Sequence, residues 1–202
     1  MPVIHLVRHG QASAEADDYD VLSALGDRQA RIAGRELARR GLRDPLVVSG
    51  TLNRQRDSAK ALVEAAALAV AVPADPRWNE YDHLGLVARY PAGAEGLQDR
   101  LDHALTSWID DPAGGWDAFQ GGAFEALAEL IARDAIVVTS GGVIAAVCGA
   151  LLGLPPSGVV ALNRVTVNAA ITTLIAGSRG LSLLTFNDHA HLVADRTLLT
   201  YR

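Results

Sequence analysis

Pro2-Val3-Ile4-His5-Leu6-Val7-Arg8-His9-Gly10 is the stretch on which the reading of this chain turns. Residues 2–7 form a short, largely apolar run that breaks off at Arg8-His9-Gly10, as a buried strand does when it runs into a turn. An Arg-His-Gly group then stands at the carboxyl end of a strand. The same order returns twice downstream. Residues 45–49 are a second apolar run, followed by Gly50-Thr51 and a helical pattern over about 52–68. Ala135-Ile136-Val137-Val138-Thr139 is a third, followed by the tight turn Ser140-Gly141-Gly142 and an apolar helix over 143–152. Between the first two, a polar loop leads into a helical pattern over about 23–40, with Ser23 as N-cap and Gly41 closing it.

Alternating strands and helices predict an α/β fold, a three-layer sandwich whose mostly parallel central sheet carries helices on both faces. Two β-rich runs, 165–175 and 181–186, are expected to complete the sheet before the polar segment Asn187-Asp188-His189-Ala190-His191. Residues 73–122 hold Pro73, Pro76, Pro91 and Pro112 and all three tryptophans, and read as an insertion or lid. One amphipathic helix is expected over 95–109 and another over 123–133. No repeat is visible, and residues 1–202 read as a single domain.

Composition narrows the function. Half of the 202 residues are apolar and 20 % are charged, which is globular usage. The net charge of -5 argues against bulk attraction to nucleic acid or an anionic membrane, so any anion site must be local. Cys148 is the single cysteine, which excludes an intrachain disulfide and a cysteine metal cluster. No basic-then-apolar leader and no apolar run of membrane-spanning length is present, so a soluble cytoplasmic protein is expected.

In parallel sheets ligands bind beyond the carboxyl ends of the strands, which brings Arg8, His9, Gly10, Arg54 and Ser140 together. A neutral imidazole can attack phosphorus and form a phosphohistidine, splitting one difficult displacement into two easier ones. Two convergent arginines suit the non-bridging phosphoryl oxygens, and Gly10 lets the backbone come close. Taken alone, Arg8 and His9 are also what a strand shows where it reaches solvent.

Several separated segments resemble the histidine phosphatase superfamily, in its phosphoglycerate mutase-like branch. Leu6-Val7-Arg8-His9-Gly10-Gln11 looks like the family's nucleophile strand and turn, and Leu22-Ser23-Ala24-Leu25-Gly26-Asp27-Arg28-Gln29-Ala30 like its first helix. Val48-Ser49-Gly50-Thr51-Leu52-Asn53-Arg54-Gln55-Arg56-Asp57-Ser58-Ala59 is similar to its second motif, and Phe186-Asn187-Asp188-His189-Ala190-His191-Leu192 to a segment near the family's C-terminus. The resemblance implies His9 as nucleophile, with Arg8, Gly10, Gln11, Arg54, Ser140 and Gly141 binding substrate phosphate. It also implies a carboxylate general acid in the middle region. Arg77-Trp78-Asn79-Glu80-Tyr81-Asp82 is the best match, with Glu80 preferred and Asp82 in reserve.

A phosphatase for a small phosphate ester is therefore expected, working through phosphohistidine on His9 without metal or cofactor. No nucleic acid or membrane partner is expected, and a homodimer stays open. Mutase-type phosphotransfer is the alternative, disfavoured because the middle segment offers few basic residues, chiefly Arg77, Arg89 and Arg100. Trp78, Tyr81, Tyr90 and Trp116 are candidates either for a partly apolar pocket or for core packing.

One position departs from the family. Its third turn normally carries a second histidine, and this chain has Ser140, which can hydrogen-bond phosphate but brings no positive charge. Slow turnover is expected, or compensation by His189 or His191. A phospho-ligand binding protein without turnover remains an alternative. So does a serine hydrolase on Ser140, although that leaves Arg8, His9 and Arg54 without a role and puts Val138 where an elbow wants a small residue. His5, His83 and His103 read as structural.

Overall fold

The computed structural model describes residues 1–13, 20–93 and 96–201. In chain order it runs β1 (Val3–Arg8), α1 (Ala24–Arg39), β2 (Leu46–Ser49), α2 (Asn53–Ala65), α3 (His83–Arg89), α4 (Leu97–Asp110), α5 (Trp116–Ala128), β3 (Ala135–Thr139), α6 (Gly141–Leu152), α7 (Pro156–Val165), β4 (Ile171–Gly177) and β5 (Gly180–Asp188). The sheet order is β2-β3-β1-β4-β5. β1 pairs parallel with β3, and β3 with β2, whereas β4 lies antiparallel to both β1 and β5. β5 therefore runs with β1, and β4 alone opposes the others. The mostly parallel α/β sandwich is present. Arg8 sits opposite Thr139 and Ser49 opposite Val138, so the first three strands end level with one another.

Strand periodicity explains the layers. Ile4 and Leu6 point to one face of β1 and meet Val137, Leu127 of α5, and Ile144 and Val147 of α6. Val7 points to the other face and meets Val47, Ile136, Leu37 of α1 and Leu62 of α2. Ile4, Leu6, Ile136 and Val137 are wholly buried, and each such side chain contributes roughly 1.5–3 kcal/mol. Covered on both faces, these strands read as continuous apolar runs rather than alternating ones.

The described residues between 73 and 122 carry α3, α4 and the start of α5. Pro76–Trp78 forms a 3-10 turn, α3 lies against α4, and α4 against α7. Trp108 and Trp116 stack edge-to-face at 5.1 Å within a third apolar cluster that includes Leu105, Ala145, Ala146 and Val159. Trp78 is wholly buried and the Tyr90 hydroxyl donates to Asp111 at 2.6 Å, so of the four candidate pocket aromatics only Tyr81 faces a cleft.

Three expectations shift. The helix expected over 123–133 starts at Trp116, because Gly115 turns the chain at φ +93° and Gly121-Gly122 continue the helix instead of breaking it. α7 is not among the expected elements; Pro156 occupies its first helical turn, where its missing N–H costs nothing. The strand expected from 165 begins at Ile171, because Ala169 at φ +57° turns its N–H toward the carbonyls of Arg8 and His9. Of the helix expected over 95–109, residue 95 lies outside the described residues. No described helix is long and apolar enough to cross a membrane. Cys148 is buried, and burial pushes its thiol up to about 12.

Candidate active site

The carboxyl ends of β1, β2 and β3 gather the predicted residues around a cleft of about 320 Å³ lined by Arg8, His9, Arg54, Glu80, Tyr81 and Gly141 among others. A more open groove of about 780 Å³ lies at the opposite end of the sheet, beside Val3, His5 and Asp134. It holds none of the proposed phosphate-handling residues. Distance from the strand termini at which ligands bind in such sheets sets it apart from the chemistry.

His9 is 4 % exposed and fixed from both sides. Its backbone N–H donates to the Thr139 carbonyl at 2.8 Å, and its carbonyl accepts from Asn168 Nδ2 at 3.1 Å. The ring Nδ1 lies 2.7 Å from the Gly10 carbonyl. A carbonyl can only accept, so Nδ1 carries the hydrogen and Nε2 keeps its lone pair. That lone pair accepts from Arg54 Nε at 3.3 Å. Burial, followed by the charges of Arg8 and Arg54, holds the imidazole well below its usual range, and it is neutral as a nucleophile must be.

Arg54 is positioned by the start of α2. Leu52, the residue preceding that helix, has no side-chain acceptor, and Asp20 supplies one from outside. Asp20 accepts from Asn53 N at 2.8 Å and Arg54 N at 3.3 Å, and its Oδ1 also takes the Arg54 guanidinium at 2.8 Å. The carboxylate thus caps the helix and aims the arginine in one contact. Arg8 NH1 donates to the Thr166 and Tyr201 carbonyls, which draw it to the cleft wall.

Glu80 Oε2 accepts from Gly142 N at 3.1 Å and Oε1 from Tyr81 N at 3.3 Å. Its pKa is raised by burial, against the opposing pull of the Gly142 hydrogen bond and of Arg8 and Arg54. A carboxyl group that resists ionisation beside a developing alkoxide is suited to general acid work. Glycine at 142 is what lets it in, since a Cβ there would lie 2.2 Å from Glu80 Oε1. Asp82 is exposed and caps α3 through Gly85 N at 3.0 Å.

The remaining predicted residues sit around this centre in other capacities. A Cβ on Gly10 would stand 2.2 Å from the Gly26 carbonyl, so the glycine allows the first turn to lie on the backbone of α1. Gln11 N–H donates to Gln29 Oε1 at 2.8 Å and does not line the cleft. Ser140 is wholly buried, and its hydroxyl accepts from Gln55 Nε2 at 2.9 Å instead of facing the cleft, where Gly141 is the wall residue. His189 Nδ1 donates to the Asn187 carbonyl at 2.7 Å and His191 Nε2 to the Ala169 carbonyl at 3.0 Å. Neither histidine lines the cleft. His83 does line it, and His5 lies at the far end of β1, 3.1 Å from Thr173 Oγ1.

Sequence reasoning missed Asp20 and Gln55. Gln55 Nε2 donates to Ser140 and to the Trp78 carbonyl at 2.9 Å, tying the segment that bears Glu80 to the helix that bears Arg54. The signal was available: positions 55, 58, 59 and 62 share the buried stripe of α2, and a wholly buried amide on such a stripe needs polar partners. Asp20 lies in an acidic loop where periodicity gives no guidance. Among the described residues no three His, Cys, Asp or Glu side chains converge as a metal site would require.

Solved structures with the same fold include a mycobacterial glucosyl-3-phosphoglycerate phosphatase in complex with VO3. It is 29 % identical, with 93 % of this chain matching 100 % of that one at a TM-score of 0.66. A mycobacterial hydrolase is 28 % identical over 92 % of this chain and 98 % of its own, at 0.65. A phosphoglycerate mutase from Bacillus anthracis shares the fold at 14 % identity, over 95 % of each chain, with a TM-score of 0.68. No curated protein matches. The model of the histidine phosphatase superfamily (branch 1) matches residues 4–189, from the first strand to beyond the last, and the chain belongs to that superfamily of phosphoryl-transfer proteins.

Proposed function

We propose that the chain is a phosphatase that hydrolyses a small phosphate monoester through a phosphohistidine on His9. The observation that carries this reading is the Nε2 lone pair, left available by the Nδ1 bond to Gly10, set beside Arg54 in a cleft that Glu80, a carboxyl group with a raised pKa, also lines. Nε2 attacks phosphorus while the bond to the leaving oxygen breaks, and Glu80 gives its proton to that oxygen, releasing the alcohol. A water oxygen then attacks phosphorus, the P–Nε2 bond breaks, and Glu80 takes the water proton, returning neutral His9 and inorganic phosphate. Arg54 turns from Nε2 to the phosphoryl oxygens as substrate enters, and with Arg8 balances their charge.

Two features favour hydrolysis over mutase transfer. Arg77 is bound to Asp75 and Glu129, and Arg89 to Asp111, and neither lines the cleft, so the middle segment adds little positive charge to hold a second phosphate. The 29 %-identical relative is a phosphatase, and it has also been solved with inorganic phosphate. With Ser140 turned to Gln55, the phosphoryl oxygens rely on Arg8 and Arg54, and losing one transition-state donor lowers turnover by about two to three orders of magnitude.

Phosphate release from a panel of phosphate esters, measured on wild type and His9→Ala, tests the proposal. Release by wild type alone, with an acid-labile phosphoryl group trapped on His9, is the expected result. A wild-type protein that binds inorganic phosphate yet turns over no ester is a binding protein, and this reading is then wrong.

A further inference from the structure

Beyond the phosphate-handling centre the cleft opens between α3, α4 and α7, and its outer wall is Leu84, Leu97 and Leu101 with Gln98, Asp102 and Arg164. Leu84 and Leu97 are 67 % and 51 % exposed, so this wall offers apolar surface to a ligand. Arg164 is the one guanidinium that the described outer wall adds to Arg8 and Arg54, and it is already engaged. Its NH2 contacts Asp102 Oδ2 directly and stands 3.9 Å from Asp99 Oδ1. Asp102 is held in turn, its side chain only 13 % exposed and its Oδ1 accepting from Gln98 Nε2 at 2.7 Å.

We propose that Asp102 is a specificity residue that turns away leaving groups bearing a carboxylate, and that the substrates are phosphate esters of neutral, partly apolar alcohols. The proposal rests on the phosphatase reading and adds the substrate class. A carboxylate entering this wall competes with Asp102 for Arg164 and meets the negative charge of Asp102, so it is rejected by repulsion as well as by the lack of a donor. A neutral alcohol meets leucines for its apolar part, and the amides of Gln98 and Asn163 for its hydroxyls.

Glycerol 3-phosphate and 3-phosphoglycerate form a matched pair that differs in one terminal group, a hydroxymethyl against a carboxylate. Their kcat/KM ratio within a single protein preparation is independent of how much of that preparation is folded. Wild type is expected to favour glycerol 3-phosphate by about tenfold or more, the worth of one charge-assisted hydrogen bond withheld. Asp102→Asn keeps the acceptor for Gln98 while freeing Arg164, and shifts the ratio toward 3-phosphoglycerate by about tenfold; the added Arg164→Gln change removes that gain. Arg164→Gln alone moves the ratio further away from 3-phosphoglycerate, because it leaves the Asp102 carboxylate without its cation.

A wild-type preference for 3-phosphoglycerate overturns the proposal, and so does a rise in its relative use in Arg164→Gln or an unmoved ratio in Asp102→Asn. Any of these leaves the phosphatase reading standing. Failure of the whole ester panel to release phosphate removes that reading, and this one with it.

Discussion

Replacing Glu80 by Gln separates proton donation from every other contribution of that side chain. The amide keeps an acceptor for Gly142 N, 3.1 Å from the carboxylate in the parent, and fits the same space beside glycine 142. What it lacks is a proton to give. General acid catalysis is worth about 10²–10⁴-fold, so kcat/KM for an alkyl phosphate should fall by that factor. The leaving group of 4-nitrophenyl phosphate departs as a stable anion, and its kcat/KM should fall less than about tenfold. kcat/KM is the right quantity because it reports the steps up to phosphohistidine formation, before Glu80 acts as base. The pH profile carries the same signature. Glu80 works protonated, so wild-type kcat/KM declines as pH rises through its pKa, which burial has lifted above the usual carboxylate range, and Glu80→Gln lacks that limb. At the acid end His9 stays neutral to well below the usual imidazole range, which leaves activity intact in mild acid. Equal loss on both substrates, or undiminished turnover of the alkyl ester, would refute the assignment of Glu80 as the acid.

Asp20→Ala removes the acceptor for Asn53 N, Arg54 N and the Arg54 guanidinium together; denaturant unfolding should show a loss of about 1 kcal/mol from the missing cap, with kcat/KM down about tenfold as Arg54 loses its aim. Gly10→Ala drives a methyl group into the Gly26 carbonyl, and a stability loss of about 1–3 kcal/mol is expected in the same assay; an unchanged unfolding free energy contradicts the packing of the first turn on α1. Burial, and next to it the charge of Arg40, lowers His5 from 6.5 to about 4. Below pH 6.5 the unfolded chain therefore takes up a proton that the native one refuses. Stability is fully present above 6.5 and falls toward pH 4 by about 3 kcal/mol, at about 1.4 kcal/mol per pH unit, a decline that His5→Gln should flatten in unfolding experiments run across that range.

The parts of the site that could be read in the sequence are those on which local pattern and chemistry agree. Arg8-His9 and Arg54 follow apolar runs with short turns, and the parallel-sheet rule then brings them to one edge. Glu80 was legible only through a family resemblance, because its segment has no period of its own. Its identity as the inward carboxyl, with Asp82 capping α3, depends on which backbone N–H groups lie within reach. Gln11, Ser140 and His189 sit in the right turns but point elsewhere, since orientation is set by partners such as Gln29, Gln55 and the Asn187 carbonyl that are distant in sequence or belong to the main chain. Asp20 and Gln55 were invisible for the converse reason. Each acts on another residue of the site across a gap of tens of residues, and no local pattern encodes such a pairing.

The bond from the His9 ring to the Gly10 carbonyl has an evolutionary consequence. Its acceptor belongs to the main chain, so no change of side chain deletes it directly, and the reactive lone pair is inherited with the turn itself. The residues of α3, α4 and α7 that meet the departing alcohol carry no such burden and are open to substitution. A lineage built on this turn can exchange one alcohol for another many times over while its nucleophile stays ready-made.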